Sequence, residues 1–237
     1  MKIFGIDLRL RKKERPKNVV SDEVVQKNVS DPDFPYLVSF SRTGSHWLRI
    51  LTESYFDIPS LKLIFEEKNY RSSDFLYFHT HDMDLKTERS RVVYLYRNPV
   101  PTVFSQMKYY KTPMDDKSKI EEWATLYAKH LDKWLFSERF THEKLIITYE
   151  DLKSNPERVF KKLSEFFGRG YDKEKVAYAL NLGTKENIKA QTTHDSQVIN
   201  VKEDYEDLRK EFEEQNKEFI FNILEKVNPD LKSLFDR

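Results

Sequence analysis

The chain has no cysteine. Disulfide scaffolds, thiolate zinc sites and cysteine nucleophiles are thereby excluded, while the redox compartment stays undetermined. Glycine is scarce, with five in 237 residues, so the position of each carries information. An excess of one charge sign is also lacking. Lys plus Arg number 41 against 40 Asp plus Glu, a net charge of +1. That balance argues against a general nucleic-acid coat or membrane-surface binder, though a local basic pocket is compatible with it. No stretch approaches the ~18 uninterrupted apolar residues of a transmembrane helix. The opening residues, MKIFGIDLRLRKKERPK, have no apolar h-region, and their charges follow a short apolar stretch. No signal peptide is expected, and cytoplasmic residence is the default. There is no internal repeat and no low-complexity segment.

Aromatic and ionic residues are plentiful. Phe, Tyr and Trp make up 14% of the chain, enough to anchor a core and too many for a disordered polymer. Charged residues reach 34%, which predicts a densely ionic surface. Residues 1–34 read as a basic N-terminal arm, with Arg9, Arg11, Lys12, Lys13, Arg15 and Lys17 in one run and prolines at 16, 32 and 35. A solvated or partly ordered lead-in is the plain expectation for it. Residues 35–237 read as one α/β domain. Strands are expected at Pro35–Phe40, Phe75–His79, Arg91–Arg97 and Leu145–Thr148, alternating with helical patterns. The continuous apolar interior of RVVYLYR fits a parallel strand covered on both faces. Trp47, Leu48, Leu51 and Tyr55 mark a helix that stops near Pro59. Asn98 with Pro99 starts another. A helix is expected over 118–137, one from Asn155-Pro156 to Gly168, and two or three over 172–235. Gln191–Asn200 reads as a loop. The architecture expected is a single P-loop-type domain with a mainly parallel central sheet flanked by helices and a helical C-terminal part.

The strongest local signal is Arg42-Thr43-Gly44-Ser45-His46-Trp47. It places a glycine, hydroxyls and a cation between a strand and a helix N-terminus, a geometry that holds an anion. An ordinary strand-to-helix turn with Ser45 as its cap is the alternative on these residues alone. The segment is not the nucleotide-triphosphate loop G-x-x-x-x-G-K-[ST], since it lacks a second glycine and the Lys-Ser/Thr pair. The third strand ends in Arg97 instead of a magnesium-organising carboxylate. A cation there suggests a second anionic group on the ligand, with a surface salt bridge as the alternative. His79 and His81 follow the second strand and are expected on opposite sides of it. A zinc site lacks a third ligand by spacing. One histidine could serve as a general base, and a structural histidine is equally compatible.

Taken in order, these segments resemble the cytosolic-type sulfotransferases, which use 3′-phosphoadenosine-5′-phosphosulfate (PAPS). Phe40-Ser41-Arg42-Thr43-Gly44-Ser45-His46-Trp47-Leu48 resembles the family's Y-P-K-S-G-T-T-W-L. Val93 to Pro99, followed by Val103-Phe104-Ser105, resembles its 3′-phosphate segment. Ile147-Thr148-Tyr149-Glu150-Asp151-Leu152, with Asn155-Pro156 and Phe166-Phe167-Gly168, resembles its Y-E-D-L…N-P…F-L-G block. Phe78-His79-Thr80-His81 is a weaker match to its K-T-H. The resemblance covers about residues 35 to 168. It implies that Arg42, Thr43, Gly44, Ser45 and His46 cradle the 5′-phosphosulfate and that Trp47 lies against the nucleotide. It further implies that Arg97 and Ser105 bind the 3′-phosphate, that Tyr149 sits near adenine, and that His81 is the base. The implied catalytic pair is His81 and Arg42, with no metal.

Departures accompany the match. The usual catalytic Lys is Arg42, which stays charged, can bond two oxygens, and is a poor proton donor. His46 replaces a hydroxyl residue. His79 stands where the family has Lys, leaving His79 against His81 as base, with alignment favouring His81. The C-terminal R-K-G clamp and the dimerisation motif are not recognisable; Lys185, Lys189 or Lys202 could stand in for the clamp. The implied acceptor is a small molecule, a sugar or a lipid-linked glycan, with contacts expected from Lys108–Lys119, including Tyr109 and Tyr110, and from the Gln191–Asn200 loop. A P-loop kinase and a non-catalytic nucleotide-binding or interaction protein are the alternative functions.

Overall fold

A computed structural model describes residues 20–61, 74–191 and 204–235. Four strands, β1 (Tyr36–Ser39), β2 (Phe78–Thr80), β3 (Arg91–Tyr96) and β4 (Glu143–Thr148), form one sheet in the order β2-β1-β3-β4. Every pairing is parallel. The chain passes from β1 to β2 on one side, then crosses to β3 on the other. The carboxyl ends of β1 and β3 therefore frame a topological switch point, where open parallel sheets place their ligands.

Alternation along the strands assigns the helices to faces. Val38, Val92 and Tyr94 point into one core with side chains of α3 (Pro99–Tyr109), α4 (Lys117–Phe136), α9 (Tyr205–Val227) and α10 (Pro229–Ser233). Leu37, Val93 and Leu95 point into the other, against α2 (Ser45–Phe56), α5 (Tyr149–Ser154), α6 (Pro156–Phe166) and α7 (Lys173–Leu182). Both faces are apolar because both are covered. Trp134 in the first core and Phe160 in the second have no exposed surface, and burying a phenylalanine contributes about 1.5–3 kcal/mol. Helix starts follow local chemistry. Asn98 accepts from the Val100 N–H at 3.0 Å with Pro99 at the first helical position. Thr148 caps α5 through the Asp151 N–H at 2.8 Å. No helix of the described residues is long and apolar enough to cross a membrane.

Several sequence expectations shift. The second strand begins at Phe78 rather than Phe75, because Leu76 and Tyr77 bond to Pro59 and Leu61 instead of β1. The cap of α2 is Gly44, not Ser45. Among the described residues four helices follow residue 172, counting α8 (Lys185–Gln191), where two or three are expected. Gln191 belongs to α8, and the remainder of the expected Gln191–Asn200 loop lies outside the described residues, as do Lys202 and the basic run of residues 9–17. Within the expected lead-in, residues 22–29 form helix α1 (Asp22–Val29). Val25 and Phe34 there are buried with Leu61 and Phe75.

Tyr127 on α4 ties the helical layer to the sheet end. Its hydroxyl accepts from the Arg97 N–H at 3.0 Å and donates to the Arg97 carbonyl at 2.7 Å. Tyr127→Phe should lower stability by about 1–3 kcal/mol through the loss of both bonds, read as a drop in the urea midpoint at unchanged slope.

Candidate active site

The four segments singled out in the sequence follow the carboxyl ends of four neighbouring strands. Arg42 to Trp47 follows β1, His81 follows β2, Arg97 follows β3 and Tyr149 follows β4. The loop after β1 turns through two left-handed residues, Arg42 at φ 70° and Gly44 at φ 99°. Glycine suits the second on both backbone and steric grounds, since a Cβ there would lie 2.5 Å from Tyr149 Cδ2. Thr43 is fully buried and donates to the Phe40 carbonyl at 2.7 Å, closing the turn. Gly44 has no side chain to cap α2, and no acidic residue stands in that helix's first turn. The positive end of α2 thus faces the loop without an opposing carboxylate of its own.

Arg42 reaches α3. Its Nε donates to Ser105 Oγ at 3.1 Å, and its guanidinium lies 4.9 Å from the Tyr109 ring centroid. This bond joins two of the sequence segments across 63 positions. Gln106, fully buried, donates to the Ser41 carbonyl and hydroxyl and holds the same turn. Arg97 packs over Tyr149 at 4.4 Å, and its buried Nε has no hydrogen-bond partner among the described residues. Trp47 donates its indole N–H to the Gly183 carbonyl at 3.0 Å and lies 5.7 Å from the Tyr149 ring. Gly44, Trp47, Arg97 and Tyr149 form one continuous wall. Ser45 is buried and His46 half-buried on the first turn of α2.

His79 and His81 do not point to opposite sides, because residues two apart on an extended chain share a face. β2 ends at Thr80, Asp82 adopts φ 38°, and the His79 and His81 rings meet edge-to-face at 4.9 Å. Ser39 bonds both, its hydroxyl to His79 Nε2 at 3.2 Å and its carbonyl to His81 Nδ1 at 2.7 Å. A carbonyl only accepts, so His81 Nδ1 carries the proton and its Nε2 keeps the lone pair. That is the tautomer a base requires. Burial pushes the His81 pKa down, partly opposed by the Ser39 bond. Burial, reinforced by the Arg49 charge, pushes His79 well below the ordinary histidine range. Among the described residues no three His, Asp or Glu side chains gather as a metal site.

Sequence reasoning overlooked Ser39, Gln106 and His130. His130 carried a legible signal, a polar residue on the same α4 face as Tyr127, Leu131 and Trp134. Ser39 and Gln106 carried none, because their roles depend on contacts across elements.

A family model described as sulfotransferase domain matches residues 64–232. That stretch contains His81, Arg97, Ser105 and Tyr149 and begins after the β1 loop. Sulfotransferase 1A1 of Mus musculus is 32% identical over 108 aligned positions, 39% of this chain and 35% of that protein. The Rattus norvegicus protein of the same name is 30% identical with the same coverage. The match thus spans about a third of the curated relatives' length. Among solved structures, mouse sulfotransferase SULT7A1 complexed with PAP superposes with a TM-score of 0.59 at 18% identity, covering 91% of this chain and 92% of that one. Retinol dehydratase in a complex with retinol and PAP gives 0.55 at 16%, covering 86% and 82%. These two likenesses are of fold.

The buried histidines set a pH dependence of stability. His79, His81 and His130 all have folded pKa values below the ordinary 6.5, and His130 is held down to about 4. As pH falls through 6.5 the unfolded chain takes up protons first, so stability is full above that value and declines below it until the folded groups also charge. Urea midpoints should therefore drop between about pH 7 and about pH 5; a flat midpoint would contradict the burial of these rings.

Proposed function

This chain belongs to the sulfotransferase domain family, and on that premise we propose that it transfers a sulfuryl group from PAPS to a hydroxyl or amine of a small-molecule or carbohydrate acceptor. The observation that carries the reading is the 3.1 Å bond from Arg42 to Ser105. It joins the strand-to-helix loop to the Arg97 segment, which supports a single site for a ligand with two anionic groups. The residues suit that ligand: Arg97 has a buried Nε without a partner among the described residues, and α2 offers a helix N-terminus.

In this reading Arg42, Thr43, Gly44, Ser45 and His46 hold the 5′-phosphosulfate end, Arg97 and Ser105 the 3′-phosphate, and Trp47 and Tyr149 the base. PAPS supplies an activated sulfuryl group, which passes from its phosphate oxygen to the acceptor atom. His81 Nε2 takes the proton that the acceptor releases. Arg42 keeps its charge throughout and stabilises negative charge on the departing phosphate oxygen, which is weakly basic and has little need of a proton. Tyr109, 39% exposed beside Arg42, and Tyr110, 57% exposed and stacked on Trp123 at 5.1 Å, offer faces for an acceptor ring. The retinol of one related structure is an acceptor-sized small molecule; a sugar or glycolipid would use the same tyrosine faces. Cytoplasmic residence belongs to the same proposal.

Calorimetry with adenosine 3′,5′-bisphosphate without metal, run beside ATP with Mg²⁺, tests the cofactor. Tight binding of the bisphosphate is expected, and a preference for Mg-ATP would move the assignment to a kinase. For the chemistry, His81→Ala should lose turnover while keeping bisphosphate affinity. Arg42→Lys should retain measurable activity, whereas Arg42→Ala should lose about a hundredfold or more. Equal activity in the two Arg42 variants would remove that residue from the mechanism.

A further inference from the structure

His130 is a buried histidine that the proposed chemistry does not use. It sits on α4, 1% exposed, edge-on to Phe40 at 5.6 Å. Its Nε2 lies 2.9 Å from the His81 carbonyl and its Nδ1 lies 2.9 Å from the Tyr94 hydroxyl. The proton positions follow from the partners. The carbonyl only accepts, so Nε2 donates. A neutral ring must then accept at Nδ1, so the Tyr94 hydroxyl donates. Burial keeps the ring neutral by pushing its pKa down to about 4, and burial also raises the Tyr94 pKa well above its usual value.

The place where this bond attaches gives it consequence. His81 lies one residue past the end of β2, and the left-handed Asp82 follows. Asp82 is held by Arg89 through bonds of 3.0 and 2.8 Å. The His81 carbonyl is held by His130. The His81 ring is in turn fixed at Nδ1 by Ser39. We propose that His130, backed by Tyr94, is a positioning residue for sulfuryl transfer: it fixes the main chain of His81 so that the ring keeps its Nδ1–H bond to Ser39 and leaves Nε2 free. This rests on the reading of His81 as the base.

Nitrogen-15 NMR of the imidazoles in the full chain tests it without an acceptor. The wild type should show His81 as the Nδ1–H tautomer and His130 as Nε2–H. His130→Leu removes the donor and should release His81 to the Nε2–H tautomer favoured in water. Tyr94→Phe, which keeps the ring, should cause a partial shift in the same direction if the leucine variant does not fold. His130→Gln, which restores a donor near Nε2, should bring the Nδ1–H signal back in part. An unchanged His81 tautomer in a folded His130→Leu protein, or in Tyr94→Phe where the former does not fold, would overturn the proposal.

Turnover supplies the second readout, with PAPS and 2-naphthol as a probe and active sites counted by bisphosphate binding. His130→Leu should lower kcat about tenfold to a hundredfold, with bisphosphate affinity unchanged. In a His81→Ala background it should add nothing. A further loss in that background would mean that His130 acts through the fold instead. Full activity of His81→Ala alone would instead sink the base reading, while the NMR result would still decide whether His130 positions His81.

Discussion

The parallel pairing of β1 with β3 is the constraint on which the site depends. Its register sets Ser39 beside Leu95, so the loop after β1 and the segment after β3 leave the sheet side by side. The bond from Arg42 to Ser105 and the packing of Arg97 on Tyr149 both follow from that adjacency. β2 on the other flank of β1 brings His81 to the same edge, and Ser39 then touches both histidines. A shift of register by one residue would turn Leu37 and Leu95 out of their core and separate these groups.

A chain with a net charge of +1 nevertheless places Arg42 and Arg97 just past the carboxyl ends of neighbouring strands. The cations are local, and two of them rest on aromatic faces: Arg42 over Tyr109 and Arg97 over Tyr149. Such contacts hold a guanidinium in place without neutralising it. The histidines behave in the opposite way. Burial keeps His79, His81 and His130 neutral, so their hydrogen bonds are directional and their tautomers are set by partners. In the proposed reaction fixed cations would serve anionic groups and a neutral imidazole would serve a proton, and both sets of residues follow the carboxyl ends of strands in one sheet.

The strand segments and the left-handed turn after β1 were legible in sequence for physical reasons. RVVYLYR and PYLVSF are apolar on both faces because helices cover both, and that leaves a continuous apolar run. Asn98-Pro99 and Asn155-Pro156 are helix starts whose chemistry is local. Gly44 stands out in a glycine-poor chain because its position requires both a left-handed backbone and the absence of a Cβ. The order of these segments along the chain was enough to identify the family.

Only the tertiary structure decided how the histidines stand. Residues two apart share a face of an extended chain, so His79 and His81 belong on one side, but the end of the strand at Thr80 and the edge-to-face meeting of the rings are set by the fold. The strand's start at Phe78 depends equally on a distant partner, since residues 76 and 77 find hydrogen bonds at 59 and 61 before β1 can offer any. Ser39, Gln106 and His130 acquire their roles from atoms 42, 65 and 49 positions away. Sequence determines what can be read from a residue and its near neighbours: apolar period, capping, a forced glycine. Which lone pair a histidine keeps depends on what the fold places against its other nitrogen.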